Sequence, residues 1–205
     1  MIEETLRNAV TNNWPMIFIF TIVIVTIRIM YLVVHKEKFV LYKELFMLAF
    51  LIYAMLLFYV VTFQDVNYGT NNFVPFKEIF RYEIGSKLFV KNIVGNIILF
   101  IPFGVFVSYL MKTRRTYPII VISLITSFVI EYTQLKIGRT FDIDDILLNV
   151  MGGFLGFLIY LVIDILSSHM PSFFRTNTFK NIMSIVIVII LFMVYSNYSL
   201  WGILR

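Results

Sequence analysis

The residues best suited to chemistry lie between positions 92 and 149. Glu131 and Gln134 are three apart and share a helix face. Arg139, Asp142, Asp144 and Asp145 follow closely, and three carboxylates within four residues repel one another away from water unless a cation, a neighbouring Lys or Arg, or partial protonation relieves them. Asp145 and Asn149 then begin a stripe that continues through Gly152, Gly156 and Tyr160 at intervals of three and four. Upstream, Asn92 and Asn96 form another pair on one face. Such a set could bind an amphiphile bearing amines or phosphate. A helix-capping role accounts for Asp144 or Asp145 alone, but not for all the carboxylates with Glu131.

These groups sit in a chain that is 60% apolar and only 14% charged, with 22 Phe, 12 Tyr and 10 Met among its 205 residues. A soluble domain carries about 25% charged residues, so this composition excludes one and leaves a polytopic membrane protein. Mean hydropathy is +0.89. There is no cysteine, which removes thiol nucleophiles and thiolate metal sites. The net charge of +5 does not indicate nucleic-acid binding, because the cations lie in short clusters between apolar runs.

Six runs approach the roughly 20 residues a spanning helix needs: Trp14–Val34, Leu45–Phe63, Ile93–Met111, Tyr117–Leu135, Ile146–Ser167 and Ile182–Trp201. The first is too long for a typical signal-peptide core, follows Glu3 and Glu4, and is read as a mature helix. The predicted architecture is an all-α polytopic bundle of about six spans, forming one membrane domain over residues 1–205. Between spans two and three, Pro75, Phe76, Ile79, Phe80 and Ile84 are spaced as an amphipathic surface helix ended by Gly85. Arg28, near the end of the first run, is expected to snorkel to the surface. Pro102 should kink the third helix and free the Ile98 carbonyl, and Gly152 and Gly156 suit close helix packing.

Lys and Arg are tied between the two sides. The dense basic loop 112–116 decides the orientation and goes to the cytoplasm, leaving both termini and segment 136–145 outside. The third helix starts, the fourth ends and the fifth starts on that outer side. Asn92, Asn96, Glu131, Gln134, Arg139, Asp142, Asp145 and Asn149 therefore face one compartment.

The runs Asn92-Ile-Val-Gly-Asn96 to Pro102-Phe-Gly104, Glu131-Tyr-Thr-Gln134 and Arg139-Thr-Phe-Asp142-Ile-Asp144-Asp145 to Gly156 resemble the VanZ-like family of bacterial membrane proteins, as does the upstream Asn72-Phe-Val-Pro75-Phe76. The resemblance spans about residues 72–160. It implies a multi-pass protein of the bacterial cytoplasmic membrane, in a family named after a protein linked to low-level resistance to teicoplanin, a lipoglycopeptide. The expected function is non-catalytic: the outer polar cluster binds a lipidated antibiotic or lipid-linked cell-wall precursor and lowers lipoglycopeptide susceptibility. The expected partners are such ligands and membrane lipids, with no nucleic acid, metal or cofactor. The rival expectation is a membrane-embedded enzyme acting on lipid or lipid phosphate, with the aspartates holding Mg²⁺ and Glu131 as acid or base. No H-E-x-x-H, G-x-S-x-G or P-loop supports it, and His35 and His169 lie in loops on the opposite side.

Overall fold

The computed structural model describes residues 2–63 and 70–203, and the helices follow the apolar runs. Helix α1 is Ile2–Val34, α2 is Leu41–Phe63, α3 is Lys87–Met111, α4 is Thr116–Lys136 and α5 is Ile143–His169. The short α6, Ser172–Arg175, precedes α7, Asn177–Ile203. Six of them contain stretches long and apolar enough to cross a membrane. In a bilayer the helix is favoured because it satisfies every interior backbone group within one segment.

The chain divides into two compact units: Met1–Ile17 with Ile52–Ile165, and Phe18–Leu51 with Leu166–Arg205. Within the first, α3, α4 and α5 approach closely because several contact positions lack side chains. A Cβ added at Gly152 would overlap the Ile97 carbonyl, one at Gly156 the Ile101 carbonyl, and one at Gly104 the backbone of Gly153. Small residues allow this approach, and in lipid such packing replaces the hydrophobic drive available in water. Ser123 on α4 packs against Gly153, while Ile119, Phe100 and Phe157 are almost fully buried.

Two departures from ideal helix occur in α3. Its start includes a π turn over Val90–Val94, closed by the Gly95 N–H on the Val90 carbonyl. Farther along, the Tyr53 hydroxyl donates to the Leu99 carbonyl at 2.6 Å, one residue beyond the carbonyl that Pro102 was expected to release.

The connection between α2 and α3 departs from its sequence-based expectation. No α-helix spans Pro75–Gly85; the segment consists of turns and one 3-10 turn, Ile79–Arg81. Pro75 and Phe76 occupy the centre of a β-turn closed by Lys77 N–H on the Val74 carbonyl at 3.4 Å, and Phe76 has φ +68°. Pro at the second position and positive φ at the third is the type II pattern, where glycine is the usual third residue. Gly85, with φ +86°, lies before a helix rather than ending one, because Ser86 caps α3 by accepting from Phe89 N–H at 3.1 Å. Residues 64–69, also within the predicted connection, lie outside the described residues.

In the second unit Arg28, which was expected to snorkel, has a partner. Its Nε and Nη2 donate to the two Glu44 oxygens at 2.9 and 3.1 Å, and its guanidinium lies over the Tyr31 ring. A paired fork of this kind offsets the charge of Arg28, and Glu44 lies in the first turn of α2. In the same unit the Asn181 side chain accepts from Tyr42 N–H at 3.0 Å.

The glycine contacts give a graded expectation. Gly156→Ala should destabilise the protein by about 1–3 kcal/mol through overpacking. Gly95→Ala should be neutral or stabilising, because its new Cβ would meet only the Val90 carbonyl at 3.6 Å. Detergent melting curves of the two variants check this.

Candidate functional site

The site forms where α4 ends, α5 begins and the turn-rich connection crosses them. α4 closes with paired bonds around Gly138: Gly138 N–H donates to Leu135 and Arg139 N–H to Gln134. With Gly138 at φ +86°, this is a Schellman ending, in which glycine carries the left-handed residue without a Cβ penalty. It delivers Arg139 immediately beyond the helix. Asp142 then caps α5, its Oδ1 accepting from Asp144 N–H at 2.9 Å. The capping role considered for Asp144 or Asp145 therefore belongs to Asp142.

Asp144 has another task. Only 1% exposed, it accepts from the backbone N–H groups of Phe76, Glu78 and Ile79 at 2.5, 2.7 and 3.3 Å. Asn72 Nδ2 lies at 3.4 Å from Asp144 and 2.8 Å from Asp142. Asn72 also joins the chain beyond α4 through its backbone, donating to Phe141 at 2.8 Å and accepting from Ile143 at 3.0 Å. Its side-chain oxygen accepts from Val74 N–H at 3.1 Å, and the neighbouring Asn71 side chain accepts from Phe141 N–H at 2.9 Å. The two segments are thereby joined through backbone and side chains together.

Beside this junction is a cavity of about 130 Å³. Asn92, Asn96, Glu131, Gln134, Arg139, Asp142, Asp145 and Asn149 all line it. Asn96 donates to Asp145 at 2.5 Å, linking α3 to α5, and Glu131 accepts from Asp142 N–H at 2.9 Å. Asn149 donates to Ser127 at 2.9 Å, linking α5 to α4. Arg139 shares the cavity wall with Glu131 and Asp145. Lys136, at the end of α4, lies over the Tyr132 ring. Pro102, Gly152 and Gly156 are absent from the lining, and the two glycines lie in the contact between α5 and α3.

Sequence reasoning missed other parts of this wall. Beside Asp144, which the sequence places in its acidic cluster, Glu78, Tyr82, Lys91 and Thr140 also line the cavity. Glu78 and Tyr82 arrive on a connection whose path no helical spacing could reveal. Elsewhere on α5, Asp164, inside an apolar run, pairs with Arg114 at 2.7 Å. Among the described residues, no three acidic or histidine side chains gather in an arrangement that could hold a metal ion.

The VanZ/LLP1 family model matches residues 45–164, more than half of the chain and the whole of the cavity-forming segment. The chain belongs to the VanZ/LLP1 family. Protein VanZ of Enterococcus faecium is 36% identical over 72 residues, covering 34% of this chain and 44% of that protein. The chain thus spans less than half the length of that VanZ relative. No solved structure matches. Family membership and the six apolar helices together make this a multi-pass membrane protein.

Electrostatics in the α4–α5 connection give a directional expectation. Burial raises the Asp142 carboxyl above the ordinary aspartate range, the negative charges of Asp144 and Glu78 raise it further, and the hydrogen bonds from Asp144 N–H and Asn72 partly offset this. The folded protein then binds that proton more tightly than the unfolded chain does. The resulting stabilisation is full below the ordinary aspartate range and is lost as pH rises through the raised value. Asp142→Asn removes the titration, so its melting temperature relative to wild type should increase between about pH 4 and about pH 7. Parallel melting curves across that range check the sign.

Proposed function

We propose that this VanZ-family protein is a non-catalytic component of the bacterial cytoplasmic membrane whose polar cavity receives the head group of a lipidated or lipid-linked ligand. In this reading it lowers susceptibility to lipoglycopeptide antibiotics such as teicoplanin. One observation carries the ligand assignment: eleven polar residues from α3, α4, α5 and the α4–α5 connection line one cavity. The volume suits a small charged or polar group rather than a whole glycopeptide, so the rest of an amphiphile remains outside. Arg139 supplies a donor fork and the carboxylates supply acceptors, a combination suited to phosphate or amine.

The cavity faces outward in this reading, because the dense basic loop 112–116 favours the cytoplasm. The absence of native cysteine makes this directly measurable. A cysteine replacing exposed Ile137 should react with an impermeant maleimide added to intact cells, and one replacing Thr113 should react only after permeabilisation. The reverse pattern would invert the topology.

For function, Arg139→Ala, Asp142→Asn and Asp145→Asn should each abolish a wild-type-dependent decrease in teicoplanin susceptibility while membrane protein level is maintained. Removing charge at a membrane boundary lowers the insertion cost and gives no reason for failed assembly. Susceptibility assays with parallel immunoblots make the comparison. An undiminished effect in all three variants would remove the ligand-site reading.

A further inference from the structure

The connection before α3 has an outer surface that neither the helix packing nor the cavity uses. Phe80 is 83% exposed and Ile84 is 90% exposed, with Phe76 and Phe73 also largely uncovered. Their backbone is held by polar bonds: Asp144 binds the N–H groups of Phe76, Glu78 and Ile79. Glu78 and Tyr82 from this segment line the cavity, while Phe80 and Ile84 remain exposed. One short segment thus contributes polar groups to the cavity and apolar groups to the outside.

Two observations identify what covers the apolar side. Ile84 lies three residues before α3, and that helix begins with exposed Leu88 and Val90, so the apolar surface continues along the chain into a candidate membrane span. Lys77, Arg81 and Lys87 are exposed between the apolar residues, with Glu83 as an exposed acid and Glu78 paired with Arg81 at 3.1 Å. Counting Lys77, Arg81 and Lys87 against Glu78 and Glu83 leaves one net positive charge, and apolar side chains interleaved with Lys77 and Lys87, unpaired among the described residues, complement the boundary between acyl chains and anionic head groups.

We infer that residues 76–84 form an interfacial wedge, with Phe80 and Ile84 inserted among the acyl chains of an anionic bilayer and the neighbouring basic residues engaging lipid phosphates. Unlike an amphipathic helix, the wedge is a set of turns organised by Asp144. Its consequence is positional: the cavity edge supplied by Glu78 and Tyr82 lies close to the lipid head groups. The inference extends the proposed function and does not depend on it, since a wedge would insert whether or not the cavity receives a ligand.

Single cysteines replacing Phe80 and Ile84, each carrying an environment-sensitive fluorophore, test it in the full-length protein reconstituted in vesicles. The vesicles contain phosphatidylcholine with or without phosphatidylglycerol, and in separate samples a lipid spin-labelled near its head group. Both fluorophores should lose at least half their emission to the spin-labelled lipid, with iodide quenching at least threefold weaker than for the same fluorophore free in solution. Lipid quenching should also be greater when phosphatidylglycerol is present. Full iodide quenching without lipid quenching would place the segment in water. Protection from both quenchers would mean that protein covers it, and equal lipid quenching in the two compositions would remove the electrostatic part; each result overturns the inference as stated.

Discussion

A buried carboxylate held by backbone donors organises the polar end of this protein. Asp144 is almost inaccessible, yet three backbone N–H groups and the Asn72 amide converge on its oxygens. Hydrogen bonds to a charged group contribute about 1.5–3 kcal/mol each, so such a set offsets much of the cost of removing a carboxylate from water. It also holds Phe76 at φ +68°, a conformation a non-glycine residue adopts at a cost of roughly 1–2 kcal/mol. Removing the carboxylate would leave both an unfavourable turn and buried donors without their acceptor.

The rest of the site depends on that anchorage. With residues 72–79 fixed against the start of α5, Asn72 can bridge Asp142, and Asp142 can cap the helix while its N–H reaches Glu131. The opposite wall is fixed differently. Glycines bring α3 against α5, while Asn96 reaches Asp145 and Asn149 reaches Ser127. Polar geometry is tolerated here because close packing and reciprocal hydrogen bonds hold it together, as buried polar networks require. The cavity therefore joins a backbone latch on one side to a tightly packed helix contact on the other.

Several of these features were legible in the sequence because their signals were local. Apolar runs marked the helices, while the three- and four-residue intervals linking Glu131 with Gln134 and Asp145 with Asn149 marked faces that converge on the cavity. The connection was different. Pro75 fits both a helix start and the second position of a turn, and the deciding partner, Asp144, lies 68 residues beyond Phe76. No local periodicity contains that contact. Arg28 posed the same problem: it stands as an isolated basic residue in an apolar run, and its partner Glu44 is sixteen residues away on the next helix.

Amide hydrogen exchange at Phe76, Glu78 and Ile79 tests the Asp144 latch most directly. In wild-type protein these three amides should exchange on the order of a hundredfold more slowly than in an unstructured chain, and Asp144→Ala should remove that protection. The helical amides of α4 should retain theirs in the variant. Exchange at unstructured rates for all three amides in wild type, or unchanged protection in Asp144→Ala, would contradict the claim that this carboxylate holds the site together.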